Sequence, residues 1–300
     1  MAQKPARVTH KQTTISGNRV AAARADFATS PNVLHGLLNK GRPLVMGVVN
    51  VTPDSFSDGG RFLDPDAAIA QAQKLAAEGA DIVDIGAESS RPYGGAVAVP
   101  LEEERARLAY VLPAVVGLGV PVSIDTMKAA VAAWALEAGV TIVNDVWGLQ
   151  RDQDMARVVA SHGAPVVIMH NREAADPAID IIAEVAAFFS RSLEIAWEAG
   201  IERERIVLDP GIGFGKTAEQ SMTCIARLSA FRDFGLPLVI GASRKRFINT
   251  IMPSEPTGRL GGSLAAHLLA VENGAAIIRA HDVAPTVQAL AVAAAIRRAT

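Results

Sequence analysis

The sequence predicts an α/β fold, a (β/α)8 TIM barrel in which eight parallel strands are ringed by helices. Two observations predict it. Eight short apolar runs, rich in Val and Ile and mostly continuous rather than alternating, recur along the chain, as parallel strands buried on both faces do. A helix-length segment follows each run, and several of these segments stop at a glycine just before the next run. Eight such pairs in roughly 255 residues match a barrel. An open doubly wound sheet is the rival, but regular units without a longer crossover fit closure better.

The expected strands are 44–50, 81–86, 121–125, 140–145, 165–170, 206–209, 237–243 and 276–281. The expected helices follow them in order. The first runs to Gly79 from an Asp64 cap with Pro65 in its first turn. The second, 100–118, opens on Glu102, Glu103 and Glu104, which complement the helix dipole. The rest are 127–138, 152–161, 177–199, 217–234, 261–273 and 283–298. Residues 1–40 read as a poorly specified extension with a short helix over 31–40, and residues 41–300 as the barrel domain.

Composition narrows the class. Apolar residues make up 50% of the 300 and charged residues 20%, ample for a globular core. A net charge of −2 argues against a general nucleic-acid or acidic-membrane binder. The single cysteine, Cys224, can form no internal disulfide and reads as a small buried residue, which suits a cytoplasmic protein. The polar N-terminus has no apolar stretch of the secretory kind, and no apolar run is long enough to span a bilayer.

In such a barrel the active site lies at the carboxyl ends of the strands. All eight predicted ends are polar: Asn50, Glu88 to Arg91, Asp125, Asn144 with Asp145, His170 with Asn171, Asp209, Ser243 to Lys245, and Arg279 to Asp282. One such residue is as well explained by a helix cap or a rim position, but eight together are not. Asp125, Asn144 and Asp209 suit the ring N–H and carbonyl groups of an amino-pyrimidinone heterocycle, since carboxylates accept paired donors and amides both donate and accept. Arg91, Arg244, Lys245, Arg279 and His281, with Ser89 and Ser90, suit a phosphate or diphosphate. In the basic run Ser243-Arg244-Lys245-Arg246, Lys245 is expected to point inward and one arginine outward.

Two near-motifs fail. Gly211 to Thr217 resembles a P-loop, but it is one residue short and follows the sixth strand. Its glycines read instead as room for a flat ligand, with Phe214 as a stacking face. His162, His170 and His267 lack metal-ligand spacing. A hard cation held by oxygen and by substrate phosphate fits better, with Asn50 as its direct protein ligand.

Eight segments, in order, closely resemble the dihydropteroate synthase family of the folate pathway: MGVVNVTPDSFSDGG, DIGAESSRP, SIDT, NDVWG, MHN, LDPGIGFGK, SRKR and IIRAHDV. The resemblance spans about residues 43–298. It implies transfer of a 6-hydroxymethyl-7,8-dihydropterin from its diphosphate to p-aminobenzoate. It implies that Asp125, Asn144, Asp209 and Lys245 hold the pterin, with Met169, Gly213 and Phe214 lining its pocket. Asn50, Ser89, Ser90, Arg91, Arg279 and His281 would hold the diphosphate, with Mg²⁺ at Asn50. Phe56, Pro92, Phe214 and Lys245 would frame the p-aminobenzoate pocket, where sulfonamide drugs would compete. Asp125, Asp209, Lys245, Arg279 and His281 would carry the chemistry. A homodimer packed through barrel helices is implied as well.

The chain departs from the family in places. Ser90 stands where Thr is usual, Tyr93-Gly94-Gly95 lengthens the second loop, Asn171 replaces a Met, and Arg246 stands where Ser is common. Two other readings remain open on the residues: a methyltetrahydrofolate–corrinoid methyltransferase type of barrel, which has no use for a diphosphate site, and an idle synthase-like paralogue. The loop from Asn50 to Gly60 is expected to fix Asn50 at the strand end and to carry Phe56 on a mobile lid.

Overall fold

Side-chain alternation along the strands sorts the chain into two apolar layers. The computed structural model describes residues 32–52, 65–88 and 98–299. Phe56 and its lid, Ser89, Ser90, Arg91, Pro92, Tyr93-Gly94-Gly95 and the extension before residue 32 lie outside the described residues. The strands are β1 (Leu44–Asn50), β2 (Ile82–Gly86), β3 (Val122–Asp125), β4 (Ile142–Asp145), β5 (Val166–Met169), β6 (Ile206–Asp209), β7 (Val239–Ile240) and β8 (Ile277–Ala280). They pair in parallel in the order β6-β5-β4-β3-β2-β1-β8-β7. A parallel bridge between Leu208 and Leu238 brings the two ends of the order together, so the barrel is nearly closed.

The helices, in chain order, are α1 (Val33–Leu38), α2 (Pro65–Ala77), α3 (Leu101–Ala109), α4 (Leu112–Val116), α5 (Ala129–Glu137), α6 (Met155–His162), α7 (Ile181–Glu198), α8 (Ala218–Ala226), α9 (Arg246–Ile251), α10 (Leu260–Glu272) and α11 (Val283–Arg298). The single helix expected over 100–118 is two, α3 and α4. Pro113 has no N–H, and in a continuous helix its ring would meet the carbonyl of Ala109, where α3 ends. The helix expected over 217–234 ends at Ala226 because Arg227 leaves helical geometry, and a 3₁₀ segment, Leu228–Phe234, completes the span. Three residues later than expected, α6 starts at Met155; Asp152 instead accepts from the backbone N–H of Ala129 at 2.8 Å. Likewise α7 waits for Asp180, whose side chain caps Ile182 and Ala183. Strand β7 is two residues rather than seven, with Pro237 before it and Gly241 after it. The short helix α9 had no counterpart in the sequence reading.

Every second strand residue faces the helices. Val45, Val49, Val83, Ile85, Ile124, Val143, Ile168, Leu208 and Ile278 form that outer layer with the apolar faces of the helices. The intervening residues fill the barrel: Leu44, Met46, Ile82, Ile142, Val167, Val207, Val239 and Ile277 pack on Val33, Leu34 and Leu37 of α1. Thus α1, capped by Asn32, plugs the amino end of the barrel. Each such side chain contributes about 1.5–3 kcal/mol relative to exposure.

One carboxylate fastens that plug. Asp81 accepts from Lys40 at 2.6 Å, from both arms of Arg42 at 2.8 Å, and from the N–H of Val45 at 3.0 Å. Burial alone would raise its pKa, but the donors outweigh burial and hold it below the ordinary value. A carboxyl with a lowered folded pKa stabilises above its unfolded pKa, near 4, and loses that contribution as pH falls through the folded value. Lys40 and Arg42 are half in water, which limits the gain. Asp81→Asn is therefore expected to cost about 1–2 kcal/mol in urea denaturation at pH 7. The gap to wild type should shrink below about pH 4. An equal gap at pH 7 and pH 3 would show that charge is not its source.

Candidate active site

Above the apolar floor the barrel interior turns polar. The inward positions of the upper level are Asp84 on β2, Ser123 and Asp125 on β3, Asn144 on β4, Asp209 on β6 and Arg279 on β8. All except Arg279 are buried or nearly so, and Arg279 is half-buried. Burying such groups is costly unless they are paired, and Asp84, Asp125, Asn144 and Arg279 pair with one another. Arg279 donates through Nε to Asp84 at 2.7 Å and through Nη2 to Asp125 at 2.6 Å. Asn144 donates to Asp84 at 3.1 Å. Asp125 has room because its register neighbour on β2 is Gly86, where a Cβ would fall 3.0 Å from that of Asp125.

A cavity of about 910 Å³ opens over this level. Among the described residues its wall includes Asn50, Asp125, Gly213, Phe214, Arg244, Lys245, Arg279 and His281, so eight of the expected site residues meet there. Asn144, Met169 and Asp209 do not form the wall; they are almost fully buried beside it. Met169 packs with Phe214 and Val146. Asp209 spends Oδ1 on the N–H of Gly211 at 2.7 Å.

The loop after β6 is shaped by that bond. Gly211 has φ +67°, and a Cβ there would lie 1.9 Å from the carbonyl oxygen of His170. Lys216, the lysine of the near-P-loop, turns inward and is almost completely buried. It donates to the carbonyls of Gly211 and Phe214 at 3.0 and 3.1 Å and meets His170 Nδ1 at 2.6 Å. Burial brings the Lys216 pKa down to about 8, and burial with the Lys216 charge takes His170 to about 2, so the imidazole is the acceptor. Lys216 thus braces the loop internally.

The basic run divides as its residue order suggests. Lys245 stands over the Phe214 ring, Nζ 4.0 Å from its centre. The ring face expected to be open for stacking is met by this ammonium. Arg246 is exposed at the start of α9 and still borders the cavity. Arg244, read from the sequence as an anion donor, borders the cavity and forms a paired contact with Asp282 at 2.9 and 2.5 Å. His281 differs from the cation expected of it. Burial, reinforced by Arg279, Arg244 and Lys245, lowers it to about 3, so it is neutral at pH 7 and meets Ser243 Oγ at 3.1 Å.

Burial raises both Asp125 and Asp209. Asp125 reaches about 7, with Arg279 pulling it down and Asp84 and Glu104 pushing it up. Glu88, expected at the second strand end, borders the cavity but is paired with Lys128, which also holds the fully buried Glu104 at 2.5 Å. Thr126 donates to the same Glu104 at 2.8 Å. The sequence reading missed Asp84, Lys216 and Glu104 as partners of the site. For Asp84 the signal was present: a lone carboxylate inside the apolar run DIVDIG has to be paired within the barrel.

Asn50 is half-buried at the end of β1 and borders the cavity. Among the described residues no cluster of three or more His, Cys, Asp or Glu side chains is arranged to hold a metal. One amide oxygen suits a Mg²⁺ ion that keeps its waters and substrate phosphate oxygens as other ligands. No helix among the described residues is long and apolar enough to cross a membrane.

Comparison with known proteins agrees with this chemistry. The model of the family described as pterin binding enzyme matches residues 46–281. The chain is 43% identical over 245 residues to a dihydropteroate synthase of Bacillus subtilis, covering 81% of this chain and 85% of that protein. It superposes on a Clostridium difficile dihydropteroate synthase determined in the presence of pteroic acid with a TM-score of 0.81 at 45% identity, covering 85% and 97% of the two chains. A Xanthomonas albilineans dihydropteroate synthase with 4-aminobenzoic acid gives the same TM-score and identity, covering 86% and 94%. Matched along most of its length by these proteins, the chain belongs to the dihydropteroate synthase family of pterin-binding enzymes.

Proposed function

We propose that the protein condenses 6-hydroxymethyl-7,8-dihydropterin diphosphate with p-aminobenzoate, giving 7,8-dihydropteroate and diphosphate. One observation carries this reading: Asp125, with Asn144 and Asp209 buried just behind it, shares a single cavity with the cationic edge of Lys245 and Arg279. Asp125, Asn144 and Asp209 take the pterin ring edge, and Lys245 with Phe214 covers it. Arg279 and His281 face the diphosphate, where a neutral imidazole serves as a hydrogen-bond donor. Asn50 would hold Mg²⁺, which when bound offsets charge on the diphosphate.

The C–O bond to diphosphate breaks first, and its electron pair leaves with the diphosphate. Asp125 and Asp209 then face the positive charge left on the pterin methylene, and fixed carboxylates in a poorly solvated site stabilise it without reorganising. The neutral amine of p-aminobenzoate attacks, the C–N bond forms, and the amine loses its extra proton to water. Ser243 meets His281 at the cavity, but this course needs no covalent intermediate, so neither has to act as nucleophile or base. The cytoplasm suits the single buried, unreactive Cys224.

The test is diphosphate release by the purified protein with Mg²⁺, with and without p-aminobenzoate. Sustained, multiple-turnover release that depends on the arylamine is expected. Tight dihydropterin diphosphate binding without turnover would point to an idle paralogue instead. A homodimer is part of the same reading: Leu269 on α10 and Val292 and Ile296 on α11 are more than half exposed, an apolar face suited to a second copy. A monomer in sedimentation at micromolar concentration would remove that part.

A further inference from the structure

We infer that Asp84, behind the cavity wall, is the positioning residue that divides Arg279 between two carboxylates and so keeps Asp125 available to the pterin. The inference rests on the pterin reading above. Asp84 lies in the middle of β2 and is completely buried. It is not part of the cavity wall. A single oxygen, Oδ2, accepts from Arg279 Nε at 2.7 Å and from Asn144 Nδ2 at 3.1 Å. The other end of the Arg279 fork, Nη2, reaches Asp125 Oδ2 at 2.6 Å. One connected path, Asn144–Asp84–Arg279–Asp125, therefore links β4, β2, β8 and β3.

The geometry matters because a guanidinium facing one carboxylate prefers to close on it with two parallel bonds. Asp84 takes the Nε edge, so Arg279 gives Asp125 one contact and leaves it accepting capacity for a ring N–H. Asp84 also fixes the rotation of the Asn144 amide, so a ligand meets one arrangement of donor and acceptor. Its own Oδ1, like the Oγ of its register neighbour Ser123, is buried without a hydrogen-bond partner among the described residues. The charge of Asp84 is thus answered through Oδ2, by the two groups it positions.

Asp84→Asn keeps the shape and removes the charge. Arg279 should then turn to Asp125 and compete with the ring. Calorimetric titration with dihydropterin diphosphate and Mg²⁺ is expected to show Kd raised about tenfold or more, as for loss of one charge-assisted hydrogen bond. The KM for p-aminobenzoate at saturating pterin should stay within about twofold, a split that a merely structural role would not produce. The path through Arg279 is tested by Arg279→Gln with and without Asp84→Asn. If Asp84 acts through Arg279, the second substitution should change Kd by less than about threefold in that background. The pair also serves if the single variant fails to fold, because it removes both charges together. Wild-type protein that binds no dihydropterin would overturn the functional reading and this inference with it. Wild-type binding matched by Asp84→Asn, or fully additive losses in the double variant, would overturn this inference alone.

Discussion

Replacing Lys245 with alanine is expected to lower kcat/KM for the pterin substrate by about 10²–10³, the range seen when one preorganised electrostatic group is lost. The reason is position. Lys245 stands on the Phe214 ring, at the cavity wall and close to Gly213, where a Cβ would fall 3.4 Å from the lysine stem. Its charge also acts on Asp125 and Asp209, lowering both against the stronger effect of burial. Without it both carboxylates protonate more readily, and the pocket loses one side of its cover. The side chain is half-buried and makes no part of the barrel core, so the folded state should survive. The measurement is steady-state kinetics beside calorimetric pterin binding. A variant that keeps both the rate and the pterin affinity would show that the site has been placed wrongly.

Gly211→Ala is expected to be the most damaging small substitution in the loop after β6, at about 3–5 kcal/mol. Two causes add. The backbone has φ +67°, which alanine resists, and the new methyl would overlap the His170 carbonyl oxygen at 1.9 Å. That carbonyl is backbone, so it cannot swing aside like the end of a side chain. Relief requires moving the loop, which breaks the bond from Gly211 N–H to Asp209 and loosens the grip of Lys216 on the Gly211 carbonyl. Chemical denaturation should therefore show lost stability, and any folded fraction should bind pterin more weakly. Near-wild-type stability with intact pterin affinity would mean that the tight approach is not needed.

Much of the architecture is legible in the sequence. The recurrence of the apolar runs marks all eight strands, because strands buried on both faces are predominantly apolar. Their polar ends then stood out against that background, and Asp125, Lys245, Arg279 and His281 all prove to border one cavity. Helix limits were less legible. Pro113 splits one expected helix, and Arg227 ends another early, because a segment can be helical in pattern while its backbone turns locally.

The sequence by itself determined the barrel, its polar carboxyl end and the kinds of group gathered there, since each follows from local pattern and residue chemistry. Only the tertiary structure decided how those groups share their bonds. It showed Arg279 divided between Asp84 and Asp125, Arg244 engaged with Asp282, and His281 neutral under its cationic neighbours. The physical reason is that pairing and burial depend on distances across the barrel. Arg279 and Asp84 are 195 residues apart in the chain and 2.7 Å apart in space.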